Sequence, residues 1–504
     1  MNVSTILRES ARRAPDVIAL VSGDRRYTYG ELDALSARIA GGLVSAGVQP
    51  GDRVALQMPN VPEFVFAYWA ILRAGAVVVP MNPQLKAREI EYYLADSGAT
   101  AFLPHEDCAT EALAAARPDA LRHVAVAGTE SFEALTASDP LADDVLRAPT
   151  DLAVILYTSG TTGQPKGACL THSNIAWNQY LSATTLLHSG PDDVFIATLP
   201  LFHSFGQTVM MGAAFCSGAK LVLVARFEPV AVLESISRER ATIFAGVPTM
   251  FNALLQQDLA QYDLTSLRRL LTGGASMAAE LFAQVEQTLG LAPQEGYGLS
   301  ETSPVASFTP GDRPKVGSIG RPMWGVEMRV VDADGCAILS PGEPGEIEIR
   351  GHNVMAGYLG KPEATAAAIS DAGWFRTGDI GKVDEEGYFF VVDRKKDMII
   401  RGGYNVYPRE VEEVLYEHPA VLEVAVLGVP HEAMGEQVVA AVVERPGTTI
   451  DPAELIEFAK ERLASYKYPR EIIKLDALPK GPTGKILKRA ISLGERREHA
   501  ASVD

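Results

Sequence analysis

Cysteine is scarce in this sequence. Four occur in 504 residues, Cys108, Cys169, Cys216 and Cys336. None forms a CxxC pair, which excludes a paired-cysteine metal or redox centre, and four in a chain of this length make no disulfide framework. A reducing, intracellular compartment is expected. Positive charge is also short: 45 Lys and Arg stand against 63 Asp and Glu, a net charge of −18. Nucleic acid as main partner is therefore excluded, because phosphate backbones reward basic surfaces, and so is a polybasic membrane anchor. A run of about 18 uninterrupted apolar residues is absent, so no integral membrane segment is expected. The first residues, Met1 to Asp16, carry charges where a signal peptide needs an apolar core, which leaves a cytoplasmic location as the expectation.

What is present is ordinary globular composition, 47% hydrophobic and 21% charged. At this length the chain divides into about two to four domains. Thr28 and Glu31 spell a capping box, and Leu32, Leu35, Ile39 and Leu43 then recur at helical spacing up to a stop at Gly47. A strand at Val54–Leu56, a helix over 63–73 and a buried strand over 76–80 follow. This alternation predicts layered α/β architecture with mostly parallel sheet. Residues 105–150, rich in Ala, Asp and Pro, give a weak pattern. Strands over 221–224 and 243–245 and helices over 233–240 and 278–289 continue the rhythm. From about residue 311 the chain turns to Gly, Pro and short β-like runs at 328–331 and 346–349, a smaller β unit. A charged stretch, Asp393 to Asp397, then marks a boundary. Beyond it Pro408 opens a helix, with a strand over 424–427 and a helix over 453–463. The expected organisation is a large domain, 1–393, of layered α/β subdomains plus a β unit, and a small mobile α+β domain, 394–504.

Several loops could carry chemistry. The string from Tyr157 to Gly167 follows an apolar strand and combines Thr158, Ser159, Gly160, Thr161, Thr162, Gly163 and Lys166. Small residues let the backbone approach an anion, hydroxyls donate hydrogen bonds and a lysine adds charge. It lacks the GxxxxGK[ST] spacing of a Walker loop, and such a loop alone is more often a flexible connector. Tyr297-Gly298-Leu299-Ser300-Glu301-Thr302, Trp374 to Asp379, Arg401 to Asn405, and Pro479 to Lys485 are each, alone, a turn with a solvated charge.

Together and in this order, the five strings closely resemble the signatures of the adenylate-forming superfamily: acyl-CoA synthetases, firefly luciferase and the adenylation domains of peptide synthetases. The resemblance spans essentially the whole chain. It implies ATP and Mg2+ as cofactors and coenzyme A as co-substrate. The first loop, Thr158 to Lys166, would hold phosphates. Gly274, Ala275, Ser276, Gly296, Tyr297 and Gly298 would bind ATP or AMP, with Tyr297 stacked near the adenine. Glu301 and Thr158 would hold the metal and Thr302 would donate to the α-phosphate. Asp379 and Arg394 would take the ribose or phosphate. Lys485 would be the catalytic lysine, Lys396 the hinge, and Gly402, Gly403 and Tyr404 the lining of the pantetheine tunnel. Glu301, Lys485 and His203 would be the catalytic set.

The same resemblance places the acid beside His203, Gln207, Met210, Met211, Val247, Gly273, Met277, Val305 and Phe308. Amino-acid-activating relatives carry an Asp where this chain has His203, so an amino acid is excluded. Malonate-activating relatives carry a cation just before the Tyr-Gly pair, where this chain has Glu295-Gly296, which counts against malonate. The remaining lining is apolar or small, which suits an alkyl chain or an aromatic acid. A medium- or long-chain fatty acid is the expected substrate, with an aryl or malonate-type acid as alternatives. A carrier-protein phosphopantetheine offers the same thiol as coenzyme A, but the insertion typical of ligases that avoid coenzyme A has no obvious counterpart. Monomer and homodimer both fit the sequence. A non-catalytic nucleotide-binding scaffold would let charged positions erode, whereas Lys485, Glu301, Asp379 and Arg394 all stand.

Overall fold

The computed structural model describes residues 2–117, 121–158, 164–311, 314–332, 335, 337–394, 397–402, 404–431 and 434–491, and every count below is of those residues. The molecule is mixed α/β with four sheets. The capping box forms: Thr28 Oγ1 accepts from the Glu31 amide at 3.2 Å, and Glu31 Oε2 accepts from the Thr28 amide at 2.8 Å. The helix that follows, Tyr29–Ser45, buries Leu32, Ile39 and Leu43.

Two large sheets dominate. One has nine strands, running Arg321–Pro322, Val305–Phe308, Gln294–Gly298, Arg269–Gly273, Ile243–Gly246, Val194–Ala197, Lys220–Leu223, Ile18–Ser22 and Arg25–Thr28. Its central strands pair in parallel and its two edges antiparallel. The other has seven, with Leu152–Thr158 and Lys166–Thr171 beside Gly357–Tyr358 at one end. Strands such as Val77–Pro80 are buried along their whole length, as parallel strands covered on both faces must be.

A single apolar core joins the two sheets. The helix Pro62–Arg73 shows why: every residue in it but Glu63 is buried. A helix apolar on all sides belongs between layers. Trp69 and Tyr29 both pack edge-on to Phe215 at 6.0 Å in this layer. Residues 105–150, weakly patterned in sequence, hold the short helices Ala109–Ala115 and Glu130–Thr136 and then return along the core, where Leu141 and Val145 donate backbone hydrogen bonds to Ala37 and Arg73.

The β unit is an antiparallel sheet of Val326–Val331, Gly345–Gly351, Phe375–Val383 and Phe389–Arg394. Beyond it, a small α+β unit has its own core, with Pro408–Tyr416 and Pro452–Lys460 packed on a sheet built around Val421–His431 and Gly435–Glu444. Pro408 stands in the first helical turn, where its missing N–H costs nothing. Two π-helices, Ser182–Leu186 and Phe205–Gly212, have no signature in the apolar pattern. Among the described residues, no helix is long and apolar enough to cross a membrane.

Candidate active site

The carboxyl ends of Val194–Ala197, Ile243–Gly246, Arg269–Gly273 and Gln294–Gly298 open on one side of the nine-stranded sheet. In open α/β sheets that is where ligands bind. A cavity of about 870 Å³ lies there, bounded also by the end of Leu152–Thr158, the β unit and the loop that carries Lys485. A second cavity of about 250 Å³ adjoins it and shares Val247, Gly274, Tyr297, Asp379, Arg394 and Lys485 with it.

Glu301 is the centre of one cluster. It is 8% exposed, and its Oε1 accepts from the Thr158 hydroxyl at 3.2 Å and from the Tyr358 hydroxyl at 3.0 Å. The Lys166 ammonium stands 5.3 Å from the centre of the Tyr358 ring. One carboxylate among hydroxyls is the donor set magnesium uses when phosphates and water complete its shell. No group of three or more His, Cys, Asp or Glu side chains that could enclose a metal occurs among the described residues. Tyr358 carries no signature in the motifs.

Asp379 is the centre of a second cluster. It is 3% exposed. Tyr297 donates to its Oδ2 at 2.7 Å, and Arg394 Nε lies 3.2 Å from its Oδ1. Burial and the facing carboxylate push the Tyr297 phenol well above its usual range, so it stays a donor. The Gly298 position next to it admits no side chain: a Cβ there would overlap the carbonyl oxygen of Pro304.

Lys485 reaches the cavity from the small unit. Its turn is closed by backbone bonds from Gly481 to Lys485 and from Gly484 to Gly481, each 2.8 Å. Across the cleft His203 also lines the cavity. Burial, helped by the Lys485 charge, lowers its imidazole to about 4, so it is neutral near pH 7. His203 Nδ1 accepts from the Phe205 amide at 3.3 Å. The proton of the neutral ring is therefore on Nε2.

The first cavity thus gathers Thr158, Lys166, His203, Val247, Gly273, Gly274, Gly296, Tyr297, Gly298, Glu301, Val305, Asp379, Arg394 and Lys485. Ala275 and Ser276 line the second. Several expected residues stand elsewhere. Thr302 is fully buried, and its hydroxyl is spent within its own turn, 2.8 Å from the Leu299 amide and 2.5 Å from the Pro304 carbonyl. Gln207, Met210 and Met211 are fully buried and on neither wall. The π-helix that bears them turns Phe205 and Val209 to the cavity instead. Met277 is buried, and Phe308 packs against the main core. Gly402 and Tyr404 are on neither wall; Tyr404 is 59% exposed and stacks on Tyr466 at 4.7 Å. Ser159, Gly160, Thr161, Thr162, Gly163, Lys396 and Gly403 lie outside the described residues. Besides Tyr358, the wall includes Leu186 and Val209, which the sequence left unmarked.

A nucleotide-sized cleft at the sheet's switch edge, closed by a lysine from a separate small unit, defines an adenylate-forming architecture. The sequence profile of AMP-binding enzymes matches residues 7–359 and that of the AMP-binding enzyme C-terminal domain matches 410–485. The chain belongs to this family. It is 36% identical to a long-chain-fatty-acid–CoA ligase of Bacillus subtilis (strain 168), over 99% of this chain and 95% of the relative. It is 42% identical to a feruloyl-CoA synthase of an Amycolatopsis species, over 95% and 96%. The crystal structure of ATP-bound MatB from Rhodopseudomonas palustris superposes with a TM-score of 0.90 at 34% identity, over 97% and 98% of the two chains.

Proposed function

We propose that this protein is an AMP-forming acid–CoA ligase, and that its two domains meet at the boundary 393/394. The carrying observation is Lys485, delivered by the small unit into the same cavity as His203, Glu301 and Asp379. In the first half-reaction a carboxylate oxygen attacks the α-phosphorus of ATP, and the bond to pyrophosphate breaks. In-line attack needs alignment and charge neutralisation more than covalent chemistry. Asp379, held by Tyr297 and Arg394, accepts from the ribose hydroxyls. Lys166 and Lys485 place positive charge where the phosphates gain negative charge. Glu301 and Thr158 would hold a magnesium ion, which supplies further neutralisation when bound. His203, neutral with its proton on Nε2, donates to the acid's carboxylate without trapping it in an ion pair.

In the second half-reaction a thiolate attacks the acyl carbonyl and AMP leaves. Gly402 and Tyr404 stand away from the cavity while Lys485 stands in it. The reading is that these two segments exchange by rotation of the small domain, so that one site serves both steps in turn. The large cavity as described belongs to the first step.

For the acid, the finer reading is a medium- or long-chain fatty acid. Its support is an apolar wall of Leu186, Val209, Leu199, Leu271 and Val305 beyond His203. An aromatic acid is the second reading. It is favoured by Phe205, whose ring lines the cavity, packed closely over Gly273, and offers an aromatic acid a ring to lie against. ATP–pyrophosphate exchange across C8–C18 acids and substituted cinnamates separates the two, followed by comparison of coenzyme A with a phosphopantetheinylated carrier protein. Exchange with cinnamates and silence across the alkyl panel would overturn the fatty-acid reading. Silence with every acid would overturn the ligase.

A further inference from the structure

Behind the cavity, one carboxylate is joined to two of the segments that build it, and a tyrosine of the same helix holds a third. Asp96 lies in the last turn of the helix Ala87–Ser97, and its side chain is 18% exposed. Its Oδ2 accepts from the Tyr157 hydroxyl at 2.8 Å. Its Oδ1 meets the Lys361 ammonium at 3.2 Å and the Tyr92 hydroxyl at 3.5 Å. Tyr92 has one hydrogen to give, and the carbonyl oxygen of Pro165 is nearer, at 2.8 Å. Tyr93, on the same helix, lays its ring against Tyr157 with centroids 4.3 Å apart.

Each of these three anchors adjoins a group of the Glu301 cluster. Tyr157 immediately precedes Thr158, and Pro165 immediately precedes Lys166. Lys361 follows Tyr358 by one turn, and Leu359 between them donates to the Gly167 carbonyl at 2.8 Å. Thr158 and Tyr358 both donate to Glu301 Oε1, and Lys166 stands over the Tyr358 ring. Asp96 itself lines neither cavity.

We infer that Asp96 is a positioning residue for the triphosphate end of the site, fixing the spacing of Thr158 and Tyr358 about Glu301 without touching nucleotide. The inference rests on the ligase reading. Ring stacking alone leaves Tyr157 free to slide in the plane of its ring, because dispersion is weakly directional. A carboxylate with both oxygens engaged adds direction, since charge-assisted hydrogen bonds are short and strong. Lys361 pairs with the carboxylate at 3.2 Å, so Asp96 does not stand as an uncompensated charge beside the cavity.

The experiment compares Asp96→Ala, Asp96→Asn and Tyr157→Phe with wild type. ATP–pyrophosphate exchange reads the first half-reaction, and thioester formation from supplied acyl-AMP reads the second. In Asp96→Ala the KM for ATP rises about tenfold, as small displacements of phosphate-holding groups do. The KM for the acid and the rate of the second half-reaction stay within about twofold, because neither uses the displaced groups. Asp96→Asn keeps an acceptor for Tyr157 and falls between Asp96→Ala and wild type. Tyr157→Phe reproduces Asp96→Ala, and the double variant is no worse than either single. A purely structural role predicts instead a lower melting temperature with both half-reactions reduced alike, which would overturn the inference. Should Asp96→Ala fail to fold, an unmoved KM for ATP in both Asp96→Asn and Tyr157→Phe overturns it equally. Exchange in wild type with an unmoved KM in the variants overturns this inference alone; no exchange in wild type overturns the ligase reading and this inference with it.

Discussion

The hydroxyl of Thr249 donates to the carbonyl oxygen of Gly484 at 2.9 Å, and this bond fastens the Lys485 turn of the small unit to the large one. Gly484 sits at φ +79°, where only glycine is unstrained, and a Cβ there would lie 2.9 Å from Val247 and 3.2 Å from Thr249. The contact is therefore both a hydrogen bond and a close fit. Thr249→Val removes the bond alone, worth about 1 kcal/mol, and is expected to slow adenylate formation about fivefold. Gly484→Ala adds strain and overlap, and is expected to slow it further. Thioester formation from supplied acyl-AMP should be spared in both, because the turn is not needed there. Rapid-quench measurement of the two half-reactions checks this, and equal slowing of both would contradict it.

Removal of the lysine itself is the sharper form of the same argument. Lys485→Ala withdraws the positive charge that the small unit brings to the cavity. Loss of such a preorganised charge slows the chemical step by about 10²–10³-fold. Adenylate formation should fall by that order while the supplied acyl-AMP is still converted to thioester. If both steps fell together, alternation of the two domains would be the wrong account of the fold.

Tyr297 and Asp379 offer a graded pair. Tyr297→Phe deletes one 2.7 Å hydrogen bond to a carboxylate that keeps Arg394. A loss of about 1 kcal/mol raises the KM for ATP about fivefold, with kcat little changed. Asp379→Ala deletes the acceptor and leaves the Tyr297 hydroxyl without its partner, so the cost rises to about 2–3 kcal/mol and the KM about 10²-fold. Steady-state kinetics with ATP as the varied substrate tests the order; a larger effect of Tyr297→Phe than of Asp379→Ala would reverse the assignment.

The helices and parallel strands of the large sheets were legible because their cause is local. The Thr28–Glu31 box, Pro408 in a first turn, and the all-apolar run Val77–Val79 each state an element within a few residues. The site was legible where a string carries it, as with Glu301, Asp379 and Lys485. It was not legible where partners meet from far apart in sequence. Tyr358 reaches Glu301 across 57 positions and Asp96 reaches Tyr157 across 61. Nor does apolar periodicity reveal a π-turn, in which one extra residue per turn changes which side chains face inward. That is why Phe205 and Val209 stand on the wall where Gln207, Met210 and Met211 were expected. Thr302 illustrates a further limit: a hydroxyl in a signature can be consumed by the turn it sits in.

Glu295 supplies a prediction in pH. It is 4% exposed and lines the second cavity, where Arg409 and Glu413 of the small unit face it and the Met277 amide donates to it. Burial dominates and raises its carboxyl to about 7, opposed by Arg409. A carboxyl raised in the folded state binds its proton more tightly there than in the unfolded chain. Its contribution to stability is therefore complete below the unfolded pKa near 4.5 and is lost as pH rises to about 7. The amount at stake is on the order of 3 kcal/mol. Glu295→Gln has no proton to lose and about the same volume, so its stability should hardly change over that interval. Denaturant midpoints taken between about pH 5 and 8 should show the wild type falling behind the variant as pH increases. Parallel curves would mean that Glu295 is already ionised in the folded protein, with Arg409 as its dominant partner.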